Sequence, residues 1–319
     1  MSDLRISMAF ELYDRTMPFV DGSVKPVGTE PQMLPMYEGT RHPRMLDHLE
    51  FDVCELSISY YLRAKSQGLP ITAIPVFPRR LFGHSRLYIN TKSGIRSPKD
   101  LAGKRVGLPS FQNTSAVLIR GDLKDDYGVA VEDIVWVPRY QGAVAFEAPP
   151  GTKIEPLEGG KNLAEELASG GIDALIALKA PPAFTKGTGE VTRLFPDTRG
   201  EEQAYFKRHG YFPIHHLVAV REELLQREPW LALNLVNAWT EAKRRAAHYY
   251  DEACFTSLVW GRLALEAEAG FFGGADPWPY GLAANRKNIE RFLQLEYDQG
   301  LIPQPMKVED IFFHTTLET

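Results

Sequence analysis

Arg79, Arg80, His84 and Arg86 fall within eight residues of an otherwise acidic chain, in the stretch "PVFPRRLFGHSRLYIN". Apolar, strand-like runs flank them, so the cluster reads as the end of a buried strand rather than a solvated face. A guanidinium grips a carboxylate with two parallel hydrogen bonds, each worth roughly 1.5–3 kcal/mol when charge-assisted. Arg79 and Arg80 are therefore candidate partners for a carboxylate ligand. Neighbouring side chains of an extended chain point to opposite faces. One arginine is thus expected to meet the ligand while the other braces the loop. Pro78 is expected to break the strand, which leaves open which arginine faces inward.

Groups of matching chemistry follow other strand-like runs. Tyr13, Asp14 and Arg15 come just after the first run, where Asp14 and Arg15 read as ligand contacts or as a surface pair. Glu55 ends the apolar run "FDVCEL". A carboxylate there is costly unless paired or used, so it either holds a substrate hydroxyl or pairs with an arginine. Ser57 and Ser59 precede a helix, where a cap and an anion contact are compatible. Asn113, Thr114 and Ser115 open another helix, whose dipole and free N–H groups favour an anion; plain capping is the alternative. Lys179 in "KAPP" points toward the same end of its strand. Trp278 and Tyr280 in "DPWPYG" are rigid aromatics that wall a ring or anchor a core.

Two histidines carry the acid–base potential. Free histidine titrates near pH 6.5, so it can supply a proton near neutrality. His84 lies within the arginine cluster, and "FPIHHLVAVR" sets His215 beside His216. In an extended segment the two imidazoles face opposite sides, so only one reaches a given site. Spacing gives no independent support to a metal held by His84, His216 and Glu55, and adjacent histidines alone make no metal site.

These loops need strands to position them. Strand-like and helix-like segments alternate, which predicts an α/β fold with mainly parallel sheets. Strands are expected at Leu4–Phe10, through "FDVCELSIS" and at "ITAIPVF", with a helix from about Pro43 to Leu49. The middle of the chain reads as its own βαβαβ unit: a capped turn at Ser97–Leu101, the strand "KRVGL", a helix over Ser115–Asp126 and the strand "EDIVWV". The last third is helical. Ligands of such folds bind beyond the carboxyl ends of strands, which brings together the loops after Phe10, Leu56, Phe77 and Leu108.

Composition narrows the partners. The chain has 319 residues, 44% hydrophobic and 24% charged, with a formal net charge of −5. That allows a large core and two lobes and provides no basic face for a nucleic acid. No run is long and apolar enough for a membrane span. The two cysteines, Cys54 and Cys254, show no zinc spacing. The N-terminus lacks a signal-peptide pattern, so a cytoplasmic location is expected. A homo-oligomer is compatible with the sequence, and nothing in the sequence specifies one.

The segment "SPKDLAGKRVGLPSFQNTSAVLIRG", with "GGIDALIAL" after it, resembles the second lobe of type II solute-binding proteins. The resemblance implies a two-lobe periplasmic-binding-protein-like fold with a central ligand cleft and two crossings, near Leu87–Asn90 and Pro213–His216. Lobe 1 would then be 1–88 plus 216–319, and lobe 2 would be 89–215. Longer stretches, "YDRTMPFVDGSVKPVG", "FDVCELSISYYL", "IPVFPRRLFGHSRLYINTKSGI" and "DPWPYGLAANR", resemble the 4,5-dihydroxyphthalate decarboxylases. That likeness implies non-oxidative loss of CO2 from a hydroxylated aromatic dicarboxylate, in aromatic-compound degradation, without an organic cofactor; a divalent metal is left open. Arginine and the Thr114–Ser115 helix start would take the carboxylates. Glu55 or Asp14 would hold the catechol oxygens, and His84 or His216 would protonate the ring. The competing reading is an aromatic-acid binding protein without chemistry. A thiamin-pyrimidine synthase on the same scaffold has a cysteine-rich iron segment that this chain lacks.

Overall fold

The strands run, in chain order, β1 Leu4–Phe10, β2 Thr29–Pro35, β3 Val53–Ser57, β4 Ile71–Arg80, β5 Leu87–Asn90, β6 Arg105–Ser110, β7 Val135–Tyr140, β8 Lys153–Ile154, β9 Ala174–Ile176, β10 Val191–Arg193 and β11 Ile214–Arg221. They come from a computed structural model, which describes residues 3–140, 148–252, 254 and 257–319. The strands form two sheets, ordered β2-β1-β3-β11-β4 and β10-β5-β9-β6-β7-β8. In the first, β1 runs parallel to β2 and β3, and β11 runs antiparallel to β3. In the second, β6 lies parallel between β7 and β9. The fold is thus α/β with mixed sheets.

The chain divides into two units: Met1–Arg80, His216–Glu290 and Met306–Thr319 make the first; Leu81–His215 and Arg291–Pro305 make the second. The first passage falls at Arg80–Leu81 rather than at Leu87–Asn90. The latter is β5, buried and paired antiparallel to both β9 and β10. Residues 81–88 and 291–305 accordingly group with the second unit. The return falls between His215 and His216.

Three local differences bear on function. The helix expected from about Pro43 spans Glu38–His48, with Pro43 inside it. Proline reads as a helix start because it lacks an N–H; here tertiary contacts hold a turn ahead of it. The strand expected to stop at Phe77 continues through Pro78 to Arg80. As β4 lies at a sheet edge, a missing donor there costs no ladder bond. β2 contains two prolines, also at an edge, and has no clear strand signal in the sequence.

The core of the first unit is built on the helix Trp230–Ala247, which lays Leu231, Leu235, Trp239 and Ala242 against Phe10, Phe19 and Val218. Trp239 meets Phe10 and Phe19 at ring-centroid distances of 5.8 and 5.0 Å. Phe10 is the last residue of β1, so this aromatic cluster also fixes where the next loop starts. The Trp239 indole N–H is buried with no hydrogen-bond partner, so the ring acts by volume alone. Trp239→Ala is expected to cost about 3–5 kcal/mol. Trp239→Phe, which loses no hydrogen bond, should cost clearly less. Urea unfolding followed by circular dichroism measures both, and equal costs would contradict the packing role.

Candidate functional site

Glu55 has no solvent exposure, although it sits in a five-residue strand of buried side chains. A buried carboxylate must be paired and hydrogen-bonded to persist, and four groups from three segments meet it. Its Oε2 accepts the backbone N–H of Glu11 at 2.8 Å and lies 3.6 Å from the Arg41 guanidinium. Its Oε1 accepts the Tyr13 hydroxyl at 2.9 Å and meets Nδ1 of His216 at 2.5 Å. Burial opposes ionisation, but Arg41, the His216 hydrogen bond and the Glu11 N–H outweigh it and hold Glu55 well below the usual carboxylate range.

Register explains the Glu55–His216 pair. In the antiparallel β3–β11 ladder, Glu55 faces Val218 and His216 faces Ser57. Glu55 and His216 are therefore diagonal neighbours on one face, within reach of long side chains. His216 is itself buried, and that burial, offset in part by Glu55, lowers its pKa below 6.5. The ring is thus neutral in the free protein. Its Nδ1–H donates to the Glu55 carboxylate, which leaves the Nε2 lone pair free to take up a proton.

Nε2 of His216 lies 3.5 Å from a carboxylate oxygen of Glu38, and that same oxygen accepts from Arg79. Glu38, Arg41 and His42 stand at i, i+3 and i+4 of the helix Glu38–His48, and so share one face. Arg41 donates Nε–H to the Glu55 carbonyl at 2.8 Å and also bonds the Met36 carbonyl. His42 packs its ring 5.3 Å from that of His216, and its Nε2 is buried without a hydrogen-bond partner. Burial, then His216 and Arg41, push its pKa well below 6.5.

The other anticipated residues of this unit are placed as follows. Arg79 faces the cluster. Arg80, on the opposite side of the strand, is buried and donates to the Pro279 carbonyl and to Asn285; the ligand-contact reading of Arg80 is therefore replaced by a bracing one. Arg15 donates to the Pro78 carbonyl, with its guanidinium 4.0 and 4.3 Å from the Tyr13 and Trp278 ring centroids. Asp14 accepts from Tyr250 and from Arg15. Trp278 donates its indole N–H to the Phe77 carbonyl at 2.7 Å. The Tyr280 hydroxyl is buried with no hydrogen-bond partner; burial raises its pKa, while Arg15 and Arg80 pull the other way. Ser57 is buried at the end of β3.

The remaining anticipated residues belong to the second unit. His84 is ringed by Phe195, Tyr205 and Tyr127, and its Nε2 meets the Tyr127 hydroxyl at 3.0 Å. Burial pushes its pKa down to about 4, and its ring partners among the described residues are aromatic rings and the Tyr127 phenol, with no carboxylate bonded to it as Glu55 is to His216. Asn113 caps the helix Thr114–Tyr127 by accepting the Ser115 N–H at 3.0 Å. The Ser115 hydroxyl lies 3.3 Å from Nδ1 of His215, whose Nε2 meets the Leu81 carbonyl. Thr114 is buried and Lys179 is exposed. Among the described residues, no three His, Cys, Asp or Glu side chains are placed to share a metal ion. Cys54 is buried and Cys254 exposed, both free. No helix among these residues is long and apolar enough to cross a membrane.

The NMT1/THI5-like family model matches residues 42–145. A 4,5-dihydroxyphthalate decarboxylase of Comamonas testosteroni is 33% identical over 100% of this chain and 99% of its own. One from Pseudomonas putida is 34% identical over 66% of this chain and 84% of its own. Among solved structures, the periplasmic aliphatic sulphonate binding protein of Escherichia coli superposes with a TM-score of 0.62 at 11% identity, covering 98% of this chain and 92% of that one. A Candida albicans protein with the generic periplasmic-binding-protein fold gives 0.56 at 12%, covering 100% and 98%. At such identities these two likenesses are of fold alone.

The protonation states set a pH dependence of stability. His42 and His216 bind protons less readily folded than unfolded, so below about pH 6.5 the unfolded state binds more protons. Their contribution is complete above that pH and is lost as pH falls toward their folded values. Glu55, depressed in the fold, adds a further loss below its ordinary 4.5. The unfolding free energy is expected to fall between about pH 7.5 and 5.5, by at most about 1.4 kcal/mol per pH unit per histidine. His42→Gln should flatten that slope. Urea titrations at both pH values test it, and an unchanged slope would contradict a neutral His42.

Proposed function

The chain belongs to the 4,5-dihydroxyphthalate decarboxylase family, and we propose on that premise that it is a carboxy-lyase that protonates a hydroxylated benzene dicarboxylate at the ring carbon bearing the departing carboxylate. Its substrate in this reading is 4,5-dihydroxyphthalate and its products are protocatechuate and CO2. The observation that carries the reading is His216, held through Nδ1 by the ionised Glu55, with Nε2 beside Arg79 and Glu38.

Each residue then has a task. Arg79 exchanges the Glu38 carboxylate for a substrate carboxylate, a geometry suited to a bidentate grip. Glu38, released, accepts a hydrogen bond from a ring hydroxyl and pushes electron density toward the carbon para to it. Both oxygens of Glu55 are already engaged, so Glu55 acts by positioning His216 rather than by holding a catechol oxygen. Tyr13 and Arg41 hold Glu55 in turn. The buried, unpartnered Tyr280 hydroxyl is a donor for a second polar group of the ligand.

The proton balance follows from charge. Free His216 is neutral, and an arriving dianion favours its charged form, so binding draws a proton from solvent onto Nε2. That proton goes to the ring carbon. The bond to the carboxylate then breaks, its electron pair returns to the ring, and CO2 departs. One proton is consumed per turnover. General acid catalysis of this kind contributes about 10²–10⁴-fold, or about 3–5 kcal/mol.

Purified protein given 4,5-dihydroxyphthalate should release CO2 and protocatechuate, with one ring deuterium incorporated in D2O. His216→Ala is expected to lower kcat by about 10²–10⁴-fold while substrate still binds. Arg79→Lys should act mainly on KM, by about tenfold or more, because it loses the bidentate fork. Stoichiometric binding without product would sink the enzymatic reading in favour of a binding protein. Calorimetry in buffers of different ionisation enthalpy should show proton uptake on binding, and its absence would contradict the charging of His216.

A further inference from the structure

The helix Thr114–Tyr127 buries a guanidinium that its neighbours only half satisfy. Arg120 has no solvent exposure. Its Nε donates to Oε1 of Gln299 and its Nη2 to the Phe111 carbonyl, both at 2.7 Å. The guanidinium lies 3.7 Å from the Phe111 ring centroid, a neutral face rather than a counter-charge. Nη1 is buried with no hydrogen-bond partner. Burial pushes the pKa of Arg120 down to about 9, and Glu296 offsets that only in part. A buried charge without an ion-pair partner is costly, so the group is expected to meet an anion. Arg120 lines a cavity of about 160 Å³ between its own helix, residues 291–299 and the segments at Val131 and Thr152, all within the second unit. A second buried polar atom without a partner, the Thr152 hydroxyl, belongs to the same lining.

We propose that this cavity is a binding site for a small aromatic monocarboxylate, with the carboxylate on Arg120 and Thr152 and the ring against Phe111 and Leu295. Charge selects the sign of the ligand. Of the acids in the lining, Asp125 is committed to Arg291 and Asp298 to the Gln294 amide. Lys124 and Glu132 lie exposed, one of each sign. The charge left without a close partner is therefore the buried positive one, and a charge-assisted bond from guanidinium to carboxylate is of the stronger class. Volume selects the size: an engineered cavity of about 150 Å³ takes up a benzene ring. A second carboxylate on the ring would meet Glu132, Asp125 or Asp298, so a monoanion fits where a dianion is repelled. The inference stands apart from the decarboxylase reading, since none of these residues takes part in the Glu55–His216 cluster.

The test is calorimetric titration of the full chain with benzoate, in an Arg79→Ala background so that the Glu38–His216 cluster does not compete for the carboxylate. One benzoate per chain is expected to bind. Thr152→Val keeps the shape of the side chain and removes only the hydroxyl, and it should weaken binding by about tenfold. Arg120→Met should remove it. Exchanging a buried charge for an apolar side chain is often neutral for stability, and circular dichroism checks that the variant folds; if it does not, Thr152→Val alone decides. Phthalate, the dianion of the same ring, should bind about tenfold more weakly than benzoate or worse. No benzoate binding, benzoate binding indifferent to Thr152→Val, or tighter binding of phthalate would overturn the proposal.

Discussion

One buried charge organises the first unit. The Glu55 carboxylate lies where water cannot solvate it, and removing an ion from water costs several kcal/mol even after the protein relaxes. The fold meets that cost with an N–H and a phenol from the loop after β1, a guanidinium from the helix Glu38–His48 and an imidazole from β11. Satisfying the carboxylate therefore fixes the loop after β1, the start of the helix Glu38–His48 and the rotamer of His216 together. The arrangement resembles other base–orienter pairs, in which a buried carboxylate selects the tautomer of a histidine and leaves its second nitrogen for chemistry.

The surroundings reinforce this division between groups that are held and groups that are available. Glu55, Arg41 and Tyr13 are bonded to one another and to backbone. Arg79 and Glu38 are bonded mainly to each other, so a ligand carboxylate can replace an existing partner instead of desolvating a bare charge. Arg80 and Asn285 do the opposite work, tying the end of β4 to the Pro279 carbonyl. Adjacent arginines in the sequence thus divide between the Glu38–His216 cluster and a structural bond because a strand alternates its faces.

Much of this was legible in the residues, for identifiable reasons. Alternating apolar runs marked the strands, and the helix expected over Ser115–Asp126 spans Thr114–Tyr127, closed by Gly128 in the left-handed conformation at φ 69°. Glu55 stood out because a carboxylate at the end of an apolar strand needs an explanation. Glu38, Arg41 and His42 did not, because Pro43 suggested a helix start and concealed that they share a face one turn earlier. His84 looked like chemistry only because it follows two arginines; the aromatic rings around it come from residues far along the chain, beyond the reach of spacing arguments.

Pro43 has a consequence for how the load on its helix is divided. Lacking an N–H, it cannot bond the Gly39 carbonyl, so the first turn of its helix is incompletely joined to the rest. That turn is anchored to the sheet by the Arg41 guanidinium, through the Glu55 and Met36 carbonyls. The remainder of the helix is thereby relieved of holding Glu38 and His42 in place. Its outer positions, such as Asp47 and His48, are exposed and carry none of that load, whereas an exchange of Arg41 would unmoor the whole turn.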